Sequence, residues 1–160
     1  KTLQSFSGLE HRLEFVAEIK GVKYYNDSIA TTPESAIAGL KTFNVPIVLI
    51  AGGYDKKIPL ESFAQECVQR CKHVILMGET APALMRLIDG LKQGPLPSIF
   101  QVTSLEEAVR LAGGVASPGN IVLLSPACAS YDMFENFQER GKQFKVLVQA
   151  LTPHLAHKAI

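Results

Sequence analysis

No apolar run in this 160-residue sequence approaches the roughly 20 residues that a bilayer-spanning helix needs. The opening Lys1-Thr2-Leu3-Gln4 lacks the layout of a signal peptide, so neither a membrane anchor nor an export signal is expected. An excess of one charge is missing too. Sixteen Lys and Arg against fifteen Asp and Glu leave a formal net charge of +1, which removes the bulk electrostatic case for nucleic acid or an anionic membrane as partner. Cysteine is scarce: Cys67 and Cys71 fall in a helical pattern and Cys128 stands alone, which is neither a disulfide framework nor a zinc-ligand spacing. His11, His73, His154 and His157 are scattered, so no metal site is expected. Reduced thiols in a cytoplasmic protein are what remain. Two nucleotide signatures are absent as well, the G-x-x-x-x-G-K-[ST] phosphate loop and the G-x-G-x-x-G dinucleotide fingerprint. The second absence argues against a dinucleotide-dependent oxidoreductase, which fold class alone would allow.

With 47% hydrophobic residues, the chain is long enough to bury a core in one domain, expected to span residues 1–160. Leu13, Phe15 and Ala17 alternate with Arg12, Glu14 and Glu18, and Lys20-Gly21 leads into Val22 and Tyr24. Period-two alternation around a glycine turn predicts a β-hairpin. Thr32 then suits a helix N-cap, Pro33 the first helical position, and Ala36, Ile37 and Leu40 a buried face. From there apolar runs alternate with amphipathic stretches. Strands are expected over 46–51, 74–77, 99–102 and 121–124. Helices are expected over 60–72, after Thr80, after Ser104 (a capping box with Glu107) and through Phe144, Val148 and Leu151, with residues 93–97 as a surface loop. The pattern predicts an α/β fold: a Rossmann-like, doubly wound, mostly parallel sheet with a leading β-hairpin.

In such sheets ligands bind outside the carboxyl ends of the strands. Three of those ends carry unusual polar sequences: Asn26-Asp27-Ser28-Ile29-Ala30-Thr31-Thr32, Gly52-Gly53-Tyr54-Asp55-Lys56-Lys57, and Ser125-Pro126-Ala127-Cys128-Ala129-Ser130-Tyr131-Asp132. Singly, each has a plain structural reading as helix cap, tight turn or strand terminator. Together they bring Asp27, Thr31, Lys56, Ser130 and Asn136 toward one crevice. One cation among hydroxyls and amides suits a small carboxylated or zwitterionic ligand, with Lys56 on a carboxylate. No histidine falls in these loops to make a nucleophile–base pair, and Cys128 reads as a small buried residue after a strand.

These segments closely resemble the Mur ligase family, specifically the C-terminal domain of its D-glutamate-adding members. Gly8-Leu9-Glu10-His11-Arg12, the Asn26-Asp27-Ser28 run, Gly52-Gly53-Tyr54-Asp55-Lys56, Ser125 to Ser130 and the tail Asn136-Phe137-Gln138-Glu139-Arg140-Gly141 carry the likeness over essentially the whole chain. The resemblance implies one domain of a larger ATP-dependent amide ligase, a reading to which the non-methionine first residue Lys1 also points. ATP and Mg2+ would be bound mainly by a central domain, which phosphorylates the L-alanine carboxylate of UDP-N-acetylmuramoyl-L-alanine; D-glutamate would then attack the acyl phosphate. By resemblance Thr31, Lys56, Ser130, Tyr131 (through its backbone) and Phe137 hold D-glutamate, and Asn136 supports that loop. Arg12 and Asp27 face the nucleotide, and no catalytic residue is expected in this domain, which alone should be inactive. One departure stands out: Ile29 occupies a position where the family commonly has lysine. The alternative reading is a stand-alone, non-catalytic α/β module that binds an amino acid or a partner.

Overall fold

The computed structural model describes residues 8–92 and 94–151. Lys1 to Gln4, Gln93 of the expected surface loop, His154 and His157 lie outside the described residues. A hairpin of β1 (Glu14–Ile19) and β2 (Val22–Asn26) leads in, followed by α1 (Pro33–Lys41), β3 (Ile47–Ala51), α2 (Glu61–Arg70) and β4 (Cys71–Leu76). The chain continues through α3 (Ala81–Leu91), β5 (Ser98–Gln101), α4 (Leu105–Val115), β6 (Ile121–Leu124) and α5 (Phe137–Gln149). The six strands form one sheet in the order β1-β2-β6-β3-β4-β5. Only the β1–β2 pair is antiparallel; the others run parallel. The expected hairpin-led, doubly wound α/β sheet is what forms.

The continuous apolar runs have a simple cause: the central strands are covered on both faces. Ile47, Leu49 and Ala51 of β3 join Leu76, Leu123, Leu40, Phe63 and Leu84 in one core under α1, α2 and α3. Val48 and Ile50, one residue out of phase, join Ile75, Val122, Leu124, Val109 and Phe144 in a second core under α4 and α5. Thr32 caps α1 by accepting from the Ser35 amide, and Ser104 caps α4 by accepting from the Glu107 amide, as their positions suggest.

Four local expectations shift. Cys71, expected on a helix, is extended (φ −101°, ψ 138°) and starts β4, because its backbone pairs with Ile47 of β3. Met77 falls just past β4, and β5 runs one residue earlier than expected. Phe15, expected to share a face with Ala17, is 52% exposed. A bulge between Phe15 and Ala17 resets the alternation, so Val16 and Ala17 instead pack against the second core.

Candidate functional site

The carboxyl ends of β2, β3, β4 and β6 lie side by side, and the loops leaving them are sewn together by backbone hydrogen bonds. Ala127 N–H donates to the Ala30 carbonyl (2.9 Å), Gly52 N–H to Pro126 (3.0 Å) and Tyr54 N–H to Ala129 (2.8 Å). These join the 26–32, 52–57 and 125–132 loops, as their sequences suggest. A fourth loop, after β4, was not expected at the site. The Gly53 amide donates to Thr80 Oγ1 (3.0 Å), the Glu79 amide to Asp132 (2.9 Å) and the Asp55 amide to Glu79 (2.8 Å). Thr80 stands before α3 as expected, but its hydroxyl serves Gly53 rather than capping the helix.

The glycine pair exists because the loops run too close for side chains. A Cβ on Gly52 (φ 104°) would strike the Met77 carbonyl, and one on Gly53 (φ 157°) the Ala129 carbonyl. This crossing presents Lys56. Lys57 is paired with Asp55 (Nζ to Oδ2, 3.3 Å), whereas Lys56 is exposed with no carboxylate partner among the described residues. Ser130 is buried at 2% exposure, Thr31 is half-buried, and Tyr131 lies exposed with its ring edge-on to Tyr54 at 5.9 Å. The hollow beside Lys56, bordered by Tyr54, Thr80 and Cys128, is only about 10 Å³, so a ligand here lies over the loops rather than inside them. Cys128 is buried, its thiol pushed up by burial and standing 3.3 Å from Thr80 Oγ1, which makes it a poor nucleophile.

Arg12 and Asp27 border a different hollow, a cleft of about 280 Å³ that Ile29, Ser35 and Gly39 also line. Arg12 is exposed on a turn whose flanking residues His11 (φ 72°) and Leu13 (φ 42°) are both left-handed, a conformation costing about 1–2 kcal/mol per residue. Side chains from neighbouring elements hold the turn. Glu14 accepts from the His11 amide (3.0 Å) and Asp27 from the Leu13 amide (3.1 Å). Asp27 also accepts from Ser125 Oγ (2.8 Å); burial nevertheless raises its pKa, against the pull of these two bonds and of nearby Arg12. Asn26 is fixed by its oxygen accepting from the Ser28 amide, so its NH2 faces His11 Nδ1 (2.9 Å). With Nδ1 accepting from Asn26, the neutral His11 ring carries its proton on Nε2, 3.6 Å from Glu10, and burial lowers the ring's pKa.

Lys145 of α5 ties down the same turn, donating to Glu10 (2.8 Å) and Glu14 (3.1 Å). Burial acts to raise the Glu14 pKa, but the His11 amide, Lys145 and Asn26 together outweigh it and hold it low. A depressed carboxyl contributes stability that is present above its unfolded pKa, near 4, and lost as pH falls through the folded value. Lys145→Met is therefore expected to be less stable than the parent chain at pH 7, with the gap closing below about pH 4. Urea midpoints at the two pH values check this; a gap independent of pH would show that the cluster holds no linked proton.

Residues 11–128 match the family model described as Mur ligase, glutamate ligase domain. The chain belongs to the Mur ligase family. It is 51% identical over 153 residues to the UDP-N-acetylmuramoylalanine–D-glutamate ligase of Clostridium beijerinckii, covering 94% of this chain and 33% of that protein. With the enzyme of the same name from Caldanaerobacter subterraneus it shares 52% over 151 residues, again 94% of this chain and 33% of the relative. The chain thus spans about a third of the length of the relatives it matches. Among solved structures, UDP-N-acetylmuramate-alanine ligase from Thermotoga maritima superposes with a TM-score of 0.65 at 17% identity, over 92% of this chain and 32% of that one. A folylpolyglutamate synthase from Mycobacterium tuberculosis gives 0.62 at 15%, over 86% and 32%. At those identities the two structures show the shared fold.

Within this Mur ligase domain, Ile29 lines the Arg12–Asp27 cleft and not the hollow beside Lys56. Asn136 caps α5 by accepting from the Glu139 amide (2.8 Å), and Phe137 sets its ring edge-on to His11 at 6.0 Å, toward the Arg12 turn. A hollow of about 530 Å³ between the start of α4 and α5 contains none of the residues assigned from the sequence to ligand binding. The residue most completely overlooked is Arg140. It is 1% exposed and bonds through all three of its nitrogens: Nε to Ser28 Oγ (2.9 Å), one terminal nitrogen to Ser28 O (2.9 Å), the other to Cys128 O (3.1 Å). Burial pushes its pKa down to about 10. Gly141 beside it has no room for a side chain, because the His11 ring occupies that space. A charged residue in an amphipathic helix gives no sequence sign that it points inward; only its place in the Asn-Phe-x-x-Arg-Gly tail marked the segment.

Proposed function

We propose that this chain is the acceptor-binding domain of an ATP-dependent ligase that adds D-glutamate to UDP-N-acetylmuramoyl-L-alanine through an acyl phosphate. The observation that supports the reading is that the loops carrying Thr31, Lys56 and Ser130 are joined by backbone hydrogen bonds at the strand ends, with Lys56 exposed and without a carboxylate partner among the described residues. In this reading Lys56 takes a glutamate carboxylate, Thr31, Ser130 and the Tyr131 backbone orient the amino acid, and Asn136 and Phe137 fix the end of that loop. The domain delivers an oriented amine, an entropic contribution worth several of the ~7–11 kcal/mol that positioning can supply. Closure over the site excludes the water that would otherwise hydrolyse the acyl phosphate. The identity to D-glutamate ligases supports this assignment of the acceptor.

The cleft at Arg12 fits part of a nucleotide. An exposed guanidinium on a pinned turn suits a phosphate, and Asp27 holds that turn through the Leu13 amide. Mg2+ finds no comparable donors: among the described residues no group of three His, Cys, Asp or Glu side chains could hold a metal ion, and both Asp27 oxygens are already bonded. ATP and Mg2+ would then be held mainly by the rest of the protein, in a bacterial cytoplasm, and the domain alone would make no amide bond. Among the described residues no helix is long and apolar enough to cross a membrane.

The two-sided arrangement is tested by a pair of variants in the full-length ligase. Ser130→Ala is expected to raise KM for D-glutamate by up to roughly ten-fold, the size of one neutral hydrogen bond, with KM for ATP nearly unchanged. Asp27→Ala is expected to do the reverse. Steady-state kinetics with each substrate varied in turn, and circular dichroism for folding, decide it. Equal shifts of one constant in both variants would mean a single undivided site.

A further inference from the structure

We propose that Arg140 is the positioning residue of the acceptor site, its buried guanidinium setting the spacing between the 26–32 loop and the 125–132 loop. The proposal rests on the functional reading above for what the two loops bind, but its geometry stands independently of that reading. Arg140 comes from α5, an element that carries none of the charge offered to the ligand, yet its nitrogens reach backward to both loops. Ser28 Oγ accepts from Nε and donates onward to the Phe137 carbonyl (2.8 Å), so one hydroxyl locks the first loop to the first turn of α5. The Cys128 carbonyl closes the other side, next to Ala127, whose left-handed φ of 64° shows how sharply that loop turns. The third loop passes close by: a Cβ added at Gly53 would lie 3.4 Å from the same terminal nitrogen that bonds Cys128.

No carboxylate pairs with this buried cation among the described residues; its acceptors are a hydroxyl and two carbonyls. A buried charge that depends on loop oxygens makes the loop spacing stiff, because moving either loop away strands the charge without its acceptors. The planar fork matters as much as the charge. A lysine ammonium at the end of a flexible stem cannot meet Ser28 Oγ, Ser28 O and Cys128 O from one side chain in the same directions. Thr31 and Ser130 lie three and two residues beyond these anchors, so their separation follows from where Arg140 holds Ser28 and Cys128. Arg140 thereby acts on the acceptor through Thr31 and Ser130.

Arg140→Lys keeps the charge and removes the fork; Ser28→Ala removes one acceptor and leaves the arginine. Hydrogen exchange followed by mass spectrometry on this 160-residue chain is expected to show protection lost in peptides covering 26–32 and 125–132, with β3 and β4 unchanged. In the full-length ligase, Arg140→Lys is expected to raise KM for D-glutamate by roughly ten-fold or more, and by more than it raises KM for ATP, because Asp27 of the same loop is also held by Ser125. Protection lost evenly across the sheet, or equal shifts of both constants, would overturn the proposal and leave Arg140 a general staple of the fold. If Arg140→Lys does not fold, Ser28→Ala is read against the same two outcomes. A wild-type ligase that uses no D-glutamate would sink the functional reading, while the exchange measurement would still decide whether Arg140 sets the loop spacing.

Discussion

Lys56→Ala in the full-length ligase is expected to raise KM for D-glutamate by roughly ten- to a hundred-fold, with KM for ATP changed far less. The size follows from a charge-assisted hydrogen bond to a carboxylate, worth about 1.5–3 kcal/mol. The choice of residue follows from the neighbouring charges. Lys57 is already engaged by Asp55, through both its amide and its ammonium, while Lys56 has no acidic partner among the described residues. The backbone that carries it is anchored on three sides, by Thr80 at Gly53, by Ala129 at Tyr54 and by Glu79 at Asp55. Truncation should therefore remove a charge without moving the loop, and the thermal unfolding midpoint should stay within a few degrees of wild type. Lys57→Ala is the internal control, with a glutamate constant close to wild type. An unchanged constant in folded Lys56→Ala would remove Lys56 from the acceptor site and leave it a solvated surface charge.

Gly52→Ala is expected to be the most destabilising conservative change in the site loops, by about 3–5 kcal/mol in urea unfolding of this chain. Two costs combine. The backbone φ of 104° is one that side chains rarely adopt, and the added Cβ would run into the Met77 carbonyl. That carbonyl cannot step aside cheaply: the Met77 amide is bonded to Ala51 O (3.0 Å), and the Gly52 amide to Pro126 O (3.0 Å). Relieving the collision would pull β3 from β4 at the point where the loops begin. Gly90→Ala is the contrasting case, since it sits in the last turn of α3 with open space where a Cβ would go, and no comparable loss of stability is expected. Equal stability of Gly52→Ala and wild type would mean that the β3–β4 crossing opens far more easily than its bonding indicates.

Much of the site's location was legible in the sequence because chain direction is a local property. Apolar strands of parallel sense place their carboxyl ends along one edge, so the 26–32, 52–57 and 125–132 segments had to emerge on the same edge wherever the sheet formed. Thr32, Ser104 and the hairpin turn at Lys20-Gly21 act within a few residues of themselves, and they appear where expected. Cys71 fell on the wrong side of an element boundary, and Phe15 on the wrong face of its strand, for the opposite reason. Helical periodicity continues through Cys71 and alternation through Phe15, but pairing with Ile47 extends the backbone at one and a bulge resets the phase at the other.

Strand polarity, the two-sided core and the family motifs were thus determined by the sequence itself, since each depends on spacing within a short stretch. The tertiary structure alone decided which charges remain available and which are consumed. Lys56 and Lys57 are adjacent and alike in sequence, and only the fold gives Asp55 to one of them. Asp27 reads as a free carboxylate until both its oxygens are found bonded, to Leu13 and to Ser125, 98 residues away. Arg140 reads as a surface cation of α5 until it is found buried against Ser28, 112 residues away. The physical reason is common to all three: hydrogen-bond satisfaction and desolvation depend on neighbours brought together by the sheet order β2-β6-β3-β4, and that proximity is not encoded in any local pattern.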